Sequence, residues 1–332
     1  LKGSGQTRYS RNGDGRAALG PVLREYLVSE AMHKFNVPTT RALAAVTTGE
    51  EVVREQLLPG GINTRTASSF IRVGSFQFFQ MQEDVASVKA LADYVIERNY
   101  PGVAEAQKPY IALLQAVVLR QASLIARWMA LGFIHGVMNT DNMSIAGETI
   151  DYGPCAFMDF YNHEQVYSSI DRNGRYAYNN QASIGLWNLS RFAETLLPLF
   201  DDDVDAAVEI AKDILQKYIE RYDEAWLVNM RAKCGLSACD GVADNDDKTL
   251  IESLLEIMDE EQADFTLTFY HLSRLNMKPD DRDSDIRQLF KKTGAIDAWL
   301  ARWRQRLSSE TIDDSKRQHG MQMVNPVYIP RN

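Results

Sequence analysis

Apolar residues recur at helical spacing through most of the chain, and the clearest case is the stretch 109–131. Within it, Ile111, Leu114, Val117 and Val118 share one helical face, and Gly132 follows as a typical helix end. Weaker versions of this pattern predict further helices at residues 21–35, 84–99, 183–197, 203–234, 248–275, 285–292 and 296–307. The chain is therefore predicted to be mainly helical from about residue 83 onward.

The first 82 residues have a different pattern, with strands around one helix. Residues 42–48 and 52–56 read as two short strands around Gly49-Glu50-Glu51, and 70–79 alternates enough to predict another strand. Residues 57–65 (LLPGGINTR) are predicted to form a loop. The sequence thus predicts an α+β chain with a small mixed region at 1–82 and a larger, mostly helical region at 83–332.

Between the helices at 109–131 and 183–197 lies a polar stretch, residues 135–153 (HGVMNTDNMSIAGETIDYG). If Ala146-Gly147 is a two-residue turn, Asn142 lies directly opposite Asp151, with Cα atoms roughly 4.5–5.5 Å apart. An amide oxygen and a carboxylate at that separation can share one hard cation, usually Mg²⁺ when phosphates supply the remaining ligands. We therefore predict a metal-binding hairpin at residues 135–153.

Composition excludes several classes of function. The net charge of −9 gives no electrostatic support for a nucleic-acid partner. No apolar run reaches the roughly 18 residues of a membrane span, and the start of the chain lacks a signal-peptide pattern. Three cysteines are an odd, sparse set that indicates a reducing compartment. Cys234 and Cys239 lack a second ligand pair nearby, so a zinc site is disfavoured.

Three further polar stretches have no regular periodicity. Residues 1–18 combine glycines with cations, which suits either an anion-binding loop or an ordinary flexible one, and no P-loop motif follows. Residues 154–182 form a long aromatic and polar loop, a length that is usually functional. The acidic run 240–247 lacks the glycine and spacing of an EF-hand and is predicted to be a solvated loop.

The spacing of the polar segment is typical of protein kinases. His135 precedes Asn142 by seven positions, and Asp151-Tyr152-Gly153 follows, as in the kinase order His-Arg-Asp-x-x-x-x-Asn then Asp-Phe-Gly. Lys2 then corresponds to the strand lysine that binds phosphates, and Glu25 to the helix glutamate that pairs with it. The order of these parts favours a kinase-like nucleotide site.

One part of the kinase pattern is missing. The catalytic aspartate would fall at Val137, and a valine cannot orient or deprotonate a hydroxyl. Asp141, directly before Asn142, is an alternative carboxylate, although it could equally be a turn residue. Ordinary phosphoryl transfer through position 137 is therefore excluded, and a small-molecule kinase is disfavoured for the same reason.

Several long motifs cover most of residues 1–195: Lys2-Gly-Ser-Gly-Gln-Thr, Arg11-Asn-Gly-Asp-Gly-Arg-Ala, Arg24-Glu-Tyr-Leu-Val-Ser-Glu-Ala-Met-His, Pro38-Thr-Thr-Arg-Ala-Leu, His135-Gly-Val-Met-Asn-Thr-Asp-Asn, Thr149-Ile-Asp-Tyr-Gly-Pro and Gly174-Arg-Tyr-Ala-Tyr-Asn-Asn-Gln. Together they resemble the selenoprotein O family. The resemblance implies a protein-kinase-like bilobal fold, of which 1–82 is the remainder of the small lobe and 83–332 the helical lobe. It also implies that the chain is a fragment without the N-terminal and C-terminal regions that members of this family have.

The resemblance implies that AMP is transferred from ATP to Ser, Thr or Tyr hydroxyls of protein substrates, with pyrophosphate as the leaving group. Asp141 is then the proton acceptor, and Asn142 and Asp151 hold Mg²⁺ (or Mn²⁺). The residues expected to bind ATP are Lys2, Asp14, Gly15, Glu25, Arg65, Arg72 and Asp151. No nucleic-acid or membrane partner is expected, and the location would be cytoplasmic in a bacterium or mitochondrial in a eukaryote.

Two alternatives stay open at this stage. One is a Mn²⁺-dependent protein uridylyltransferase, and the other is a catalytically inert kinase-like ATP-binding scaffold, for which Val137 is the motive. Cys155, next to Asp151-Tyr152-Gly153, is interpreted as a packed small residue rather than a redox switch.

Overall fold

The computed structural model describes residues 1–8, 10, 12–238 and 243–330. Those ranges form a mixed α/β structure, which confirms the predicted mixture of a strand-containing start and a helical remainder. The strands are β1 (Ala17–Ala18), β2 (Arg41–Val53), β3 (Leu57–Thr66), β4 (Phe133–Ile134) and β5 (Ala156–Phe157). The helices are α1 (Leu19–Lys34), α2 (Val73–Gln80), α3 (Val85–Asn99), α4 (Pro109–Leu131), α5 (Gln181–Leu196), α6 (Val204–Cys234), α7 (Asp244–Glu261), α8 (Phe265–Leu272), α9 (Asp283–Arg287), α10 (Thr293–Leu307) and α11 (Asp314–Val324).

The chain divides into two compact units. Unit 1 comprises residues 1–124, 137–155 and 185–218, and unit 2 comprises 125–136, 156–184 and 219–332. Each unit is defined by its internal packing. The division into lobes at residue 82 stays a prediction.

Unit 1 contains an antiparallel sheet in the order β1-β3-β2. The predicted loop 57–65 is wrong, because these residues form β3 and pair with β2 across a register shift between Thr47 and Glu51. Gly61 explains why a Pro-Gly-Gly sequence can serve as a central strand. A Cβ there would lie 3.2 Å from the Cα of Leu19, so the glycine permits close packing of α1 on the sheet.

The predicted strand at 70–79 is also wrong, since most of it forms α2. Val73 and Phe76, three residues apart, are both fully buried, which is a helical rather than an alternating spacing. The Arg72 N–H donates to Ser75 Oγ (3.2 Å) at the start of this helix. Local capping and core packing therefore override the apparent strand alternation.

The predicted helices at 21–35, 84–99, 109–131, 183–197, 203–234 and 296–307 are confirmed with small shifts at their ends, and α4 has the predicted bounds. Among the described residues, α4 is the one helix long and apolar enough to cross a membrane by length and composition. Its residues Leu113, Leu114, Val117 and Val118 are fully buried inside unit 1. The apolar surface of α4 in unit 1 is therefore used as protein core.

The sequence was less successful within residues 240–324. The predicted helix 248–275 is two helices, α7 and α8, because Gln262 adopts a left-handed conformation (φ 52°). Helix α11 was not predicted. The expected solvated acidic loop is wrong from Asp244 onward, since α7 begins there and Asp247 is fully buried. The remainder of that run, 240–242, lies outside the described residues, as do Arg11 and Cys239.

Candidate active site

Four charged residues that are far apart in the sequence meet in unit 1. Lys2 pairs with Asn63 of β3 through two backbone hydrogen bonds (2.8 and 2.9 Å), which fixes the lysine beside the sheet. Its Nζ donates to Glu25 Oε2 of α1 (2.7 Å) and forms an ion pair with Asp151. The predicted pairing of the strand lysine with the helix glutamate is therefore present in the structure.

Arg65, near the end of β3, completes this cluster. Its Nη2 donates to Glu25 and also to Asp151 Oδ1 (3.1 Å). The side chains of Glu25 and Arg65 are buried, whereas those of Lys2 and Asp151 are 42% and 31% exposed. The glutamate thus holds both cations from the interior, and the aspartate meets them from the accessible side.

The charges in this cluster determine one another's ionisation. Burial alone would raise the pKa of Asp151, but Lys2 and Arg65 hold that pKa well below its usual range. Burial lowers the pKa of Lys2 and of Arg65, and the nearby Asp151 carboxylate opposes both shifts. Asp151 is consequently ionised throughout the neutral range and available as a ligand for a cation.

The predicted hairpin at 135–153 is wrong in its pairing. Ser144 bridges to Arg72 and Thr149 bridges to Thr39, so both sides of the segment pair with other parts of unit 1 rather than with each other. The Gly147 N–H closes a turn on the Ser144 carbonyl (3.1 Å). Partners elsewhere in the fold decide the register here, and Asn142 and Asp151 are not cross-strand neighbours.

Asn142 and Asp151 nevertheless line one cavity of about 750 Å³. Asn142 Nδ2 donates to the Val137 carbonyl (2.9 Å), which leaves its Oδ1 as the acceptor of that side chain. The ion pairs of Asp151 with Lys2 and Arg65 both end on Oδ1, so its second carboxylate oxygen remains for another partner. An amide oxygen and a carboxylate oxygen are hard ligands and fit Mg²⁺ or Mn²⁺.

These two side chains would supply part of a metal's coordination shell. Among the described residues, no group of three or more His, Cys, Asp or Glu side chains is arranged to hold a metal ion. A cation bound by Asn142 and Asp151 would therefore need further oxygen ligands from water or a bound phosphate.

Asp141 lies against the first turn of α2. A Cβ on Gly74 would overlap Asp141 Oδ1 and approach its Cγ to 3.3 Å, so a glycine is required for the carboxylate to lie there. The N-terminal end of a helix carries partial positive charge and favours a carboxylate. Asp141 lines the same 750 Å³ cavity as Asn142 and Asp151. The base predicted from sequence and the predicted metal ligands are thus brought together.

A smaller cavity of about 420 Å³ is markedly basic. Its lining residues are Leu1, Lys2, Arg65, Phe70, Arg72 and Asp151. Arg72 and Asp151 also line the larger cavity, so the two cavities share a boundary. The Nε atoms of Arg65 and Arg72 are buried without a hydrogen-bond partner. Buried unsatisfied guanidinium donors are costly, and an anion in this cavity would satisfy them.

Asp14 and Gly15 lie elsewhere in the N-terminal loop. Asp14 pairs with Arg54 (2.9 and 3.1 Å) and accepts from the Arg16 N–H (3.0 Å). Gly15 has φ 66°, and a Cβ there would collide with the Gly5 backbone. Neither residue lines the two cavities, so their part in nucleotide binding stays a prediction, while their role in shaping the loop is evident.

Sequence reasoning missed several lining residues: Gly74, Ser75, Phe78 and Phe79 in the larger cavity and Phe70 in the smaller one. All of them lie in the stretch 70–79, which was predicted to be a strand. Gly74 within this apolar run is the sequence signal that could have indicated a close approach of another group. Cys155 is fully buried, and burial raises the pKa of its thiol to about 12, which confirms its interpretation as a packed residue.

Cations converging on one cavity, beside hard oxygen ligands for a metal, are the features of a protein that handles a phosphorylated ligand. A family model described as "Protein adenylyltransferase SelO" matches residues 1–332. The chain belongs to the SelO family.

Curated relatives are similar over the whole chain. A "Protein nucleotidyltransferase YdiU" of Rhizobium etli is 56% identical over 332 residues, which are 100% of this chain and 65% of the relative. Relatives with the same description from Rhodopseudomonas palustris (strain BisB18) and Rhizobium meliloti are 57% and 56% identical and are covered over 66% and 67% of their lengths. The chain thus spans 65% of the first relative's length.

Proposed function

We propose that this chain carries the nucleotide-binding and catalytic site of a protein adenylyltransferase. It would transfer AMP from ATP to Ser, Thr or Tyr hydroxyls of protein substrates and release pyrophosphate. The observation that carries the proposal is the convergence of Lys2, Glu25, Arg65 and Asp151 beside a cavity lined by Asp141 and Asn142. The family description and the names of the relatives point in the same direction.

The basic cavity suits the leaving pyrophosphate. Lys2, Arg65 and Arg72 line it, and guanidinium groups form paired hydrogen bonds with phosphate oxygens. The unsatisfied Nε atoms of the two arginines supply donors for this purpose. Glu25 holds Lys2 and Arg65 from the buried side, so the donors are fixed before the nucleotide arrives.

Asn142 and Asp151 would hold Mg²⁺ or Mn²⁺, which, when bound, neutralises phosphate charge in the site. The fixed pairing of Asn142 Nδ2 with the Val137 carbonyl presets the orientation of that ligand. Lys2 and Arg65 meanwhile keep Asp151 ionised, so the ligand set is charged at neutral pH.

The reaction is a displacement at the α-phosphorus. An acceptor hydroxyl oxygen attacks that phosphorus, its proton passes to Asp141, and the bond to the β-phosphate oxygen breaks to release pyrophosphate. Asp141 takes this role because Val137 occupies the position of a kinase base. Its packing against Gly74 in the first turn of α2 keeps the carboxylate in the cavity that Asn142 and Asp151 also line.

The proposal includes the larger frame implied by the family. The chain would be part of a kinase-like bilobal fold, with residues 1–82 in the small lobe and 83–332 in the helical lobe. Asp14 and Gly15 would belong to its nucleotide loop. The setting would be the cytoplasm of a bacterium, as the bacterial sources of the relatives suggest.

Mass spectrometry of the intact chain after incubation with ATP and Mg²⁺ tests this proposal. We expect an adenylyl group on a hydroxyl side chain of the chain or of an added protein, and loss of this product in Asp141→Asn and Asp151→Asn. A parallel incubation with UTP and Mn²⁺ measures nucleotide preference, and preferential uridylylation would replace the proposed donor. ATP binding without any transfer would instead favour an inert scaffold.

A further inference from the structure

Asn63, in the middle of β3, is fully buried and its side chain is unsatisfied. Neither its amide oxygen Oδ1 nor its amide nitrogen Nδ2 has a hydrogen-bond partner among the described residues. A buried amide without partners costs free energy, and buried polar groups of native proteins are rarely left in this condition. The chemistry proposed above does not use this side chain and so does not account for its burial.

The side chain of Asn63 lies on the face of the sheet that α1 covers. Two residues before it, a Cβ on Gly61 would lie 3.2 Å from Leu19 of α1, so Gly61 faces that helix. Two residues after it, the Arg65 side chain reaches Glu25 of the same helix. Alternate residues of a strand share one face, so Asn63 is directed toward α1 between these two positions.

Lys2 lies directly beside Asn63 across the sheet. Their backbones exchange two hydrogen bonds (2.8 and 2.9 Å), and residues paired in this way direct their side chains to the same face. On the other side of β3 the paired residue is Ala45, whose side chain has no hydrogen-bonding group. The Asn63 amide is thus placed between Lys2 and Arg65, the two cations that Glu25 holds.

The hydrogen bonds of these two cations must change when an anion enters the basic cavity. Lys2 and Arg65 both donate to Asp151, and Arg65 Nη2 also donates to Glu25 Oε1. A cation that turns toward phosphate oxygens gives up one of these bonds, and the carboxylate left behind then lacks a donor. A neutral amide has both an acceptor and N–H donors, so it can bond to a cation and to a carboxylate at once.

We propose that Asn63 is a positioning residue for the two phosphate-binding cations. When an anion occupies the basic cavity, Asn63 Oδ1 accepts from Lys2 Nζ, and Asn63 Nδ2 donates to the Glu25 oxygen that Arg65 releases. Both groups of the amide gain a partner on binding, which strengthens the affinity for the anion. This inference rests on the proposed function only in that the basic cavity binds phosphate groups, and it does not require the transfer step.

Calorimetric titration of the whole chain with inorganic pyrophosphate tests this role. Asn63→Leu keeps the approximate size of the side chain and removes both amide groups. We expect the affinity for pyrophosphate to fall by about tenfold or more, in line with the loss of hydrogen bonds to charged groups. The melting temperature measured without pyrophosphate should stay the same or rise, because an apolar group replaces a buried polar one that has no partner.

Two further variants separate positioning from a purely structural effect. Asn63→Thr keeps a hydroxyl that both donates and accepts, so it should bind pyrophosphate more tightly than Asn63→Leu. Thr64→Val changes the next residue of β3, whose side chain is directed to the opposite face of the sheet. This variant should bind pyrophosphate as the parent does.

The outcomes distinguish this proposal from the proposed function. Weaker binding in Asn63→Leu at an undiminished melting temperature, with recovery in Asn63→Thr, supports the positioning role. Binding like that of the parent in Asn63→Leu, equal weakening in Thr64→Val, or a loss that follows a lower melting temperature without recovery in Asn63→Thr would overturn it. Absence of pyrophosphate binding by the parent would overturn it together with the role of the basic cavity. Pyrophosphate binding without adenylyl transfer would contradict the proposed function alone.

Discussion

Two clusters of paired charges, one in each unit, differ in how completely their donors and acceptors are satisfied. In unit 2, Asp247 is fully buried and accepts from Arg231 Nε (2.7 Å) and from Arg306 Nε (2.7 Å) and Nη2 (3.1 Å). Arg306 also reaches Glu310 (2.8 Å) and the Ser237 carbonyl (2.7 Å). We refer to these residues as the Asp247 cluster.

In unit 1, the cluster of Lys2, Glu25, Arg65 and Asp151 also combines two acids with two bases, but it lies beside two cavities. Arg65 Nε has no partner, whereas the Asp247 cluster contributes no buried unsatisfied side-chain atom among the described residues. A charge network whose hydrogen-bonding groups are all satisfied stabilises the fold. An incompletely satisfied network beside a cavity is instead suited to bind a ligand.

Asp151→Asn is expected to have the largest effect on activity. The substitution keeps the shape of the side chain but removes the charge that the cations and the metal require. We expect nucleotidyl transfer to fall by at least about 100-fold, in line with the loss of one preorganised electrostatic group. Transfer rates and thermal melting are measured together, and a variant that melts far lower with unchanged transfer per folded molecule would contradict the assignment.

Asp247→Asn is the matched substitution in unit 2. It should lower the free energy of unfolding and leave nucleotidyl transfer per folded molecule unchanged. Removing one partner of a buried ion pair costs about 3–5 kcal/mol of stability, because Arg231 and Arg306 then lose their buried counter-ion. Urea denaturation followed by circular dichroism measures this loss. Transfer per folded molecule should stay near that of the parent, and a specific loss of activity at full stability would break the comparison.

Gly74→Ala tests whether the position of Asp141 matters. The added Cβ would overlap the Asp141 carboxylate, so that side chain must move within the cavity. We expect transfer to fall by roughly 10- to 100-fold, because small displacements of reacting groups are costly. Gly294→Ala is the control, since nothing lies within 4 Å of its new Cβ. Equal activity of the two variants would argue against a catalytic role for Asp141.

Lys233 provides a smaller, pH-dependent effect in unit 2. It is buried, donates to Asn325 Oδ1 (2.8 Å), and lies over the ring of Phe269 (4.2 Å). Burial lowers the pKa of Lys233 to about 7, from roughly 10.4 in the unfolded chain. Between these values the unfolded state binds more protons, so the contribution of Lys233 to stability rises with pH.

The free energy of unfolding of the parent, relative to Lys233→Met, should therefore rise by up to about 1.4 kcal/mol per pH unit between pH 7 and 10. Denaturation curves at a series of pH values measure this difference. A difference that stays flat across the window would mean that Lys233 remains protonated in the folded protein.

The sequence predicted the long helices because their apolar spacing reflects local geometry and burial together. It failed where long-range contacts decide. The Gly60-Gly61 pair is typical of a loop, but here it lies in a strand because β2 and α1 pack closely against it. Residues 70–79 alternate like a strand, but burial of both Val73 and Phe76 favours a helix.

The candidate site shows the same limit. The resemblance to the family named the ligands, and the structure brings Lys2, Glu25 and Arg65 together with Asp151. The expected hairpin geometry was wrong, because Ser144 and Thr149 pair outside the segment. Residues such as Gly74 carry no chemistry of their own, and their importance depends on which side chain lies against them.

The most direct measurement follows the fate of labelled phosphates. The chain is incubated with protein substrate and Mg²⁺ together with either α-³²P-ATP or γ-³²P-ATP. The proposed function predicts that protein becomes labelled from the α-position, that the γ-label leaves in pyrophosphate, and that Asp151→Asn abolishes the labelling. Transfer of the γ-label to protein would contradict it, because that result would make the chain a kinase despite Val137.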